Sequence, residues 1–255
     1  MPQVTIENPI LNSAFEPPAR HFRFDNDGIT TEIDEKRRAS AFFMPIARAR
    51  KKGEQAHFDT EWTLDRIRPN TEINRIRERI ERWRLGGYVD VTPTTRRLLT
   101  YWSDPTREKK LFFCQIEAVE TAVYLAEVAA RYGDAWIENF LRDTNSECNA
   151  GLPRVAFKMA TGSGKTVVMA MLMAWQALNK LENRQDARFT DAFLIVTPGI
   201  TIRDRLRVLL PTDPDNYYRE RDCCRPICWS DSARRASPSR TITPSCCARR
   251  ETRHG

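Results

Sequence analysis

Residues 159–166 read Met-Ala-Thr-Gly-Ser-Gly-Lys-Thr. Ahead of them Val155, Phe157 and Met159 alternate with other residues, and behind them a long amphipathic run begins. The spacing predicts a strand over 155–159, a loop over 160–164 and a helix from 165 to about 180, with Val167, Met171, Trp175 and Leu178 on one face. A glycine-rich turn at a strand–helix junction lets backbone N–H groups converge on an anion, because glycine adopts dihedrals that other residues avoid. The helix adds its N-terminal donors and the positive end of its dipole. Thr161, Gly162, Ser163 and Gly164 are therefore candidate phosphate contacts. Lys165 is placed to reach β- and γ-phosphates, and Thr166 to give a hydroxyl to Mg²⁺. The stretch departs from the general G-x-x-x-x-G-K-[ST] pattern at its first position, where Met159 stands.

Downstream, Ala192-Phe193-Leu194-Ile195-Val196 is an uncharged run that fits a strand buried on both faces. Thr197-Pro198-Gly199 breaks it, and a helix is expected over 201–210. Strand, loop, helix, strand, helix is the order of an α/β fold with a parallel sheet. Upstream, Ile116, Val119, Val123, Ala126 and Ala130 predict a helix over 114–130 with Gln115 at its start. Residues 134–142 read as helix and 143–152 as a polar loop. Ile73, Ile76, Ile80 and Trp83 predict a helix over 71–85, ended by Gly86-Gly87, and a shorter helix is expected over 94–102. Residues 1–60 read as extended and turn-rich. Phe22 and Phe24 alternate there, Asn26-Asp27-Gly28 is a hairpin signal, and residues 48–52 form a basic run. The run reads as solvated surface more readily than as a DNA contact by Arg48, Arg50, Lys51 and Lys52.

The bulk numbers fit a globular protein of one or two domains. The N-terminus lacks the build of a signal peptide, and no apolar run approaches the length of a membrane span. The expected location is cytoplasmic. Net charge is +7, and residues 223–255 supply most of it, with seven arginines against two acids. Five of the seven cysteines lie in the same segment. Charge and cysteine content therefore characterise that segment and not the body.

Three stretches carry a resemblance: Phe112-Phe113-Cys114-Gln115-Ile116-Glu117-Ala118, the loop with the helix after it, and Phe193-Leu194-Ile195-Val196-Thr197-Pro198-Gly199. The chain from about residue 4 to 222 resembles the Res subunit of type III restriction enzymes and their DEAD/DEAH-box helicase-like relatives in superfamily 2. The resemblance implies a RecA-like ATP-binding lobe, here incomplete, over 107–222, after a mixed and largely helical accessory region over 1–106. It implies ATP and Mg²⁺ as cofactors and duplex DNA as substrate, with a modification methyltransferase subunit as a possible partner. By the same resemblance Gln115 contacts adenine, and Thr197, Pro198 and Gly199 touch the DNA backbone. A side-chain amide suits the first task, since it donates and accepts at once. Such motors also need an Asp-Glu pair after the loop to hold the metal and polarise water, together with an arginine finger from a second lobe. The only Asp-Glu pair in the 255 residues is Asp34-Glu35, ahead of the loop. The chain as it stands is therefore expected to bind nucleotide weakly at best and not to hydrolyse it. A non-helicase P-loop ATPase is the alternative.

Residues 223–255 have no apolar period. Their Cys-Cys-x-x-x-Cys and Cys-Cys spacings do not suit zinc. A disordered basic tail is one reading. A shifted reading frame is favoured, because cysteine codons read one base earlier encode Leu, Met or Val and restore an α/β-like pattern. An isolated chain without the partners of its two central strands is then expected to be unstable or to aggregate.

Overall fold

A computed structural model of the chain describes residues 6–25, 28–44, 46–47, 58–59, 66–149 and 151–224. The chain divides into two compact units, Met1–Glu81 and Arg82–Gly255. The boundary expected at 106/107 falls inside the second.

The first unit is built from short antiparallel pairs. β1 (His21–Asp25) pairs with β2 (Gly28–Asp34), with Phe22 opposite Ile33 and Phe24 opposite Ile29. Gly28, at φ 121°, opens β2 in a conformation that disfavours any side chain. Arg23 bridges Asp34 at 2.8 Å and Glu32 on the facing strand. The Asn12 side-chain Oδ1 accepts from the N–H groups of Ala19 and Arg20 at 2.8 and 2.9 Å, tying down the segment that enters the hairpin. β3 (Ala41–Phe43) pairs with β6 (Ile67–Pro69), and β4 (Ile46–Ala47) with β5 (Phe58–Asp59). Asn74 both accepts from Ser40 N and donates to Ser40 O, joining the start of β3 to the first turns of α1 (Thr71–Leu85). Residues 26–27 and 48–52, to which the hairpin turn and the basic run were assigned, lie outside the described residues.

α1 buries Ile76, Ile80 and Trp83, as its period requires, but Ile73 is 41 % exposed. Gly87 ends it at φ 78°. α2 (Pro93–Trp102) starts where Thr92 accepts from Thr95 N and proline occupies the first turn. It buries Leu98, Leu99 and Trp102. α3 (Phe113–Val123) continues into a π-helical turn, Tyr124–Val128. The wider turn holds more than 3.6 residues, which rotates the buried face. Val119 and Val123 are buried as expected, but Tyr124, Glu127 and Val128 take the positions that a regular helix would give to Ala126 and Ala130. α4 (Ala135–Cys148) runs six residues beyond the expected 142, through much of the segment read as loop. α5 (Lys165–Glu182) follows the glycine-rich loop, then α6 (Ile200–Arg205), a 3₁₀ turn (Leu206–Leu209) and α7 (Tyr217–Glu220).

α5 is the centre of the second unit. Val168, Ala170, Met171 and Trp175 are buried on it, and α2, α3 and α7 pack around it. Burying each large apolar side chain contributes about 1.5–3 kcal/mol. The turn after α7 docks on α2. Trp102 Nε1 donates to the Cys223 carbonyl at 2.7 Å, and Tyr101 donates to Asp222 at 2.6 Å. Cys223, which the sequence reading put at the head of the tail, is fully buried at this turn. The remainder of that tail, 225–255, lies outside the described residues.

The expected parallel sheet is absent among the described residues, where every sheet is a two-stranded antiparallel pair. Residues 155–159 and 192–196 are not strands, and no backbone–backbone hydrogen bond of either is found among the described residues. Leu194 is 63 % and Val196 82 % exposed. Alternation of apolar residues equips a segment for a sheet, but a ladder also needs a neighbouring backbone, and no described segment supplies one. Asn145 stands in for one residue of it: its side chain accepts from Arg154 N at 2.6 Å and donates to Arg154 O at 3.1 Å. The class is thus mixed α/β, with helices dominating the second unit. Among the described residues no helix is long and apolar enough to cross a membrane.

Candidate functional site

The stretch 160–166 forms a tight loop on the N-terminus of α5. Gly162 and Gly164 take φ 80° and 77°, the left-handed region. Gly164 is the residue that caps α5, and its carbonyl accepts from Val167 N at 2.9 Å. The N–H groups of Gly162, Gly164, Lys165 and Thr166 find no acceptor among the described residues. Unspent donors at the start of an 18-residue helix make a site for an anion. Ser163 Oγ and Lys165 Nζ both donate to the Ala160 carbonyl, at 2.7 and 2.8 Å. The Lys165 ammonium is thus folded back onto its own loop while remaining exposed. Thr161 is exposed and Thr166, the second residue of α5, half-buried.

Gln115 meets this loop from α3. Its Oε1 accepts from Phe112 N at 3.0 Å, and its Nε2 donates to the Ser163 carbonyl at 3.0 Å. The side chain is buried, with 5 % of the residue exposed. A Cβ at Gly164 would stand 2.2 Å from Gln115 Nε2, so the close approach depends on glycine there as much as the dihedral does. The structure therefore brings Gln115 together with residues 160–166.

Among the described residues no acid is hydrogen-bonded or ion-paired to them. Asp34 is engaged in the first unit, where Arg23, through its hydrogen bond and then its charge, holds the Asp34 carboxyl below the usual range. No cluster of three or more His, Cys, Asp or Glu that could hold a metal is found among the described residues. Thr197, Pro198 and Gly199 form an exposed or half-exposed bend ahead of α6. Thr197 donates to the Gly199 carbonyl at 3.3 Å, and no described contact joins them to the glycine-rich loop.

What holds the site was not read from the sequence. Glu127, almost wholly buried in the π-helical turn, accepts from Thr92 N at 2.9 Å, Thr95 Oγ1 at 2.7 Å and Trp175 Nε1 at 2.8 Å. Asn179 donates to Thr95 Oγ1 at 2.9 Å and accepts from Thr92 Oγ1. This polar knot joins the N-terminus of α2 to the helix that carries the loop. A second knot fixes α3. Glu120, fully buried, pairs with Arg84 at 2.5 Å and accepts from Tyr88 OH at 2.6 Å. Burial works against the Arg84 charge, but the Glu120 carboxylate outweighs it and leaves the guanidinium pKa raised. Burial first, and then the Glu120 charge, push the Tyr88 hydroxyl well above its ordinary value. The available signal was the seven-residue spacing of Glu120 and Glu127, which put two acids on an otherwise apolar face.

Residues 108–225 match the family model described as type III restriction enzyme, res subunit. The matched segment spans the loop, α5 and Gln115. No curated protein and no solved structure matched the chain.

Proposed function

We propose that the second unit binds a nucleoside triphosphate with Mg²⁺ at residues 161–166, as the ATP-binding part of a DNA-translocating, type III restriction-like protein. The observation that carries the reading is the set of four unspent N–H groups around two left-handed glycines at the head of α5. In this reading the N–H groups take the phosphate oxygens, Lys165 leaves the Ala160 carbonyl for the β- and γ-phosphates, and Thr166 offers its hydroxyl to the metal. Bound Mg²⁺ would supply charge neutralisation across the phosphates. Duplex DNA is the proposed substrate, with residues 197–199 touching its backbone and a methyltransferase subunit as partner. Both rest on the family.

For the 255 residues as they stand, binding without turnover is the second reading. The only Asp-Glu pair precedes the loop, and its aspartate is bound to Arg23. Titration with a fluorescent ATP analogue and Mg²⁺ tests the first reading. Saturable binding that Lys165→Ala abolishes is expected, and no binding at millimolar nucleotide would sink it. A DNA-stimulated phosphate release that Lys165→Ala removes would overturn the second.

A further inference from the structure

We propose that Gln115 is a positioning residue for the phosphate loop: its amide holds the loop through Ser163 and so sets affinity for any triphosphate, whatever its base. The inference rests on the reading of residues 161–166 as a triphosphate site. The carbonyl of Ser163 and the N–H of Gly164 lie in one trans peptide plane and point in opposite directions. Holding that carbonyl at 3.0 Å from Nε2 therefore aims the Gly164 N–H to the other side, among the unspent donors. Gly164, on one side of this plane, is a left-handed glycine, and Gly162 precedes Ser163 on the other, so the loop backbone is permissive here and gains from an outside hold. The hold comes from rigid ground. Gln115 Oε1 is fixed by Phe112 N, and α3 is pinned by Val119, Val123 and the buried Glu120–Arg84 pair. Gly164 completes the fit, since any Cβ there would strike Nε2. A base-reading amide turns a donor and an acceptor outward to the ligand. Here each of the two polar atoms already serves the protein, and the side chain is buried.

The test uses the full chain with Gln115→Met and Gln115→Glu. The probes are ATP, GTP and inorganic tripolyphosphate, each with Mg²⁺, and hydrogen exchange is followed at residues 161–168. The Glu variant keeps an acceptor for Phe112 N but cannot donate to Ser163, so it removes the clamp and leaves the start of α3 capped. Affinity for all three probes should fall by a common factor of about five to ten, the worth of one hydrogen bond. The ATP-to-GTP ratio should stay unchanged while exchange at 161–168 quickens. A loss confined to ATP, or tripolyphosphate affinity and loop exchange both unchanged, would overturn the proposal. If the unsubstituted chain binds none of the probes, the triphosphate reading fails by itself. Exchange then decides the clamp alone: faster in the variants upholds it, and unchanged refutes it.

Discussion

Trp175 Nε1 donates to Glu127 Oε1 across 2.8 Å, so the helix that carries the glycine-rich loop is bonded to the π-helical turn of its neighbour. Glu127 accepts from three donors in all, and every one of them is buried or half-buried. Glu127→Ala strands these donors, and each buried unsatisfied group costs about 1–3 kcal/mol. Urea denaturation should show a loss of at least about 2 kcal/mol, with Glu127→Gln losing less because its carbonyl still serves Thr95 and Trp175. Equal stability in all three chains would mean the knot is not formed in solution.

The Arg84–Glu120 pair leads to an asymmetric expectation. Arg84→Met removes the cation and leaves a fully buried carboxylate with only Tyr88 and, more distantly, solvent to meet it. Breaking a buried pair from one side costs about 3–5 kcal/mol. Arg84→Met with Glu120→Gln removes both charges and should recover much of that. The double substitution is compared with each single one by denaturant midpoint, and additive losses would contradict a direct ion pair.

Leu194 separates the structure described above from a closed parallel sheet. At 63 % exposure, with no ladder at 192–196, Leu194→Lys should change stability by less than about 0.5 kcal/mol. An extended, uncharged apolar segment with unpaired backbone is a template for pairing between molecules. The same substitution should therefore raise the soluble fraction and suppress concentration-dependent light scattering. A destabilisation of about 2 kcal/mol or more, typical of a core leucine, would place this segment inside a sheet.

The same segment shows where sequence reasoning ends. α1, α2 and α5 were legible because a helix closes its hydrogen bonds within itself, so spacing, with Gly86-Gly87 as terminator of α1, suffices. Residues 155–159 and 192–196 had the pattern of strands, but a strand's bonds depend on a second segment that pattern cannot guarantee. The extra residue in the turn at Tyr124–Val128 left no mark in a 3.6 period, so Ala126 and Ala130 were read as buried and are exposed. Lys165, Thr166 and the two glycines were legible as a site because their chemistry is local. The bond from Gln115 to Ser163 links residues 48 apart and needed the fold.

Cys223 gives the chain a pH dependence of defined sign. Burial, reinforced by Asp222 and opposed by Arg107, pushes its thiol pKa up to about 12. Unfolding exposes the thiol and returns it to its ordinary value, near 8.5. A group whose pKa is raised in the folded state contributes fully below its unfolded value, and the contribution is lost as pH rises toward the folded one. Stability should therefore decline above about pH 8.5 and continue to decline toward pH 12. Tyr88 and Tyr218, both raised by burial, add the same sign above about pH 10. Cys223→Ala should flatten the first part of the slope, between about pH 8.5 and 10, and leave the tyrosine part. Peptide mapping after thiol labelling at pH 8 gives an independent check. Cys114 and Cys148 are exposed and should label in the folded chain, whereas Cys223 should label only in denaturant. Labelling of Cys223 at the rate of Cys148 would mean that the turn after α7 does not dock on α2 in solution.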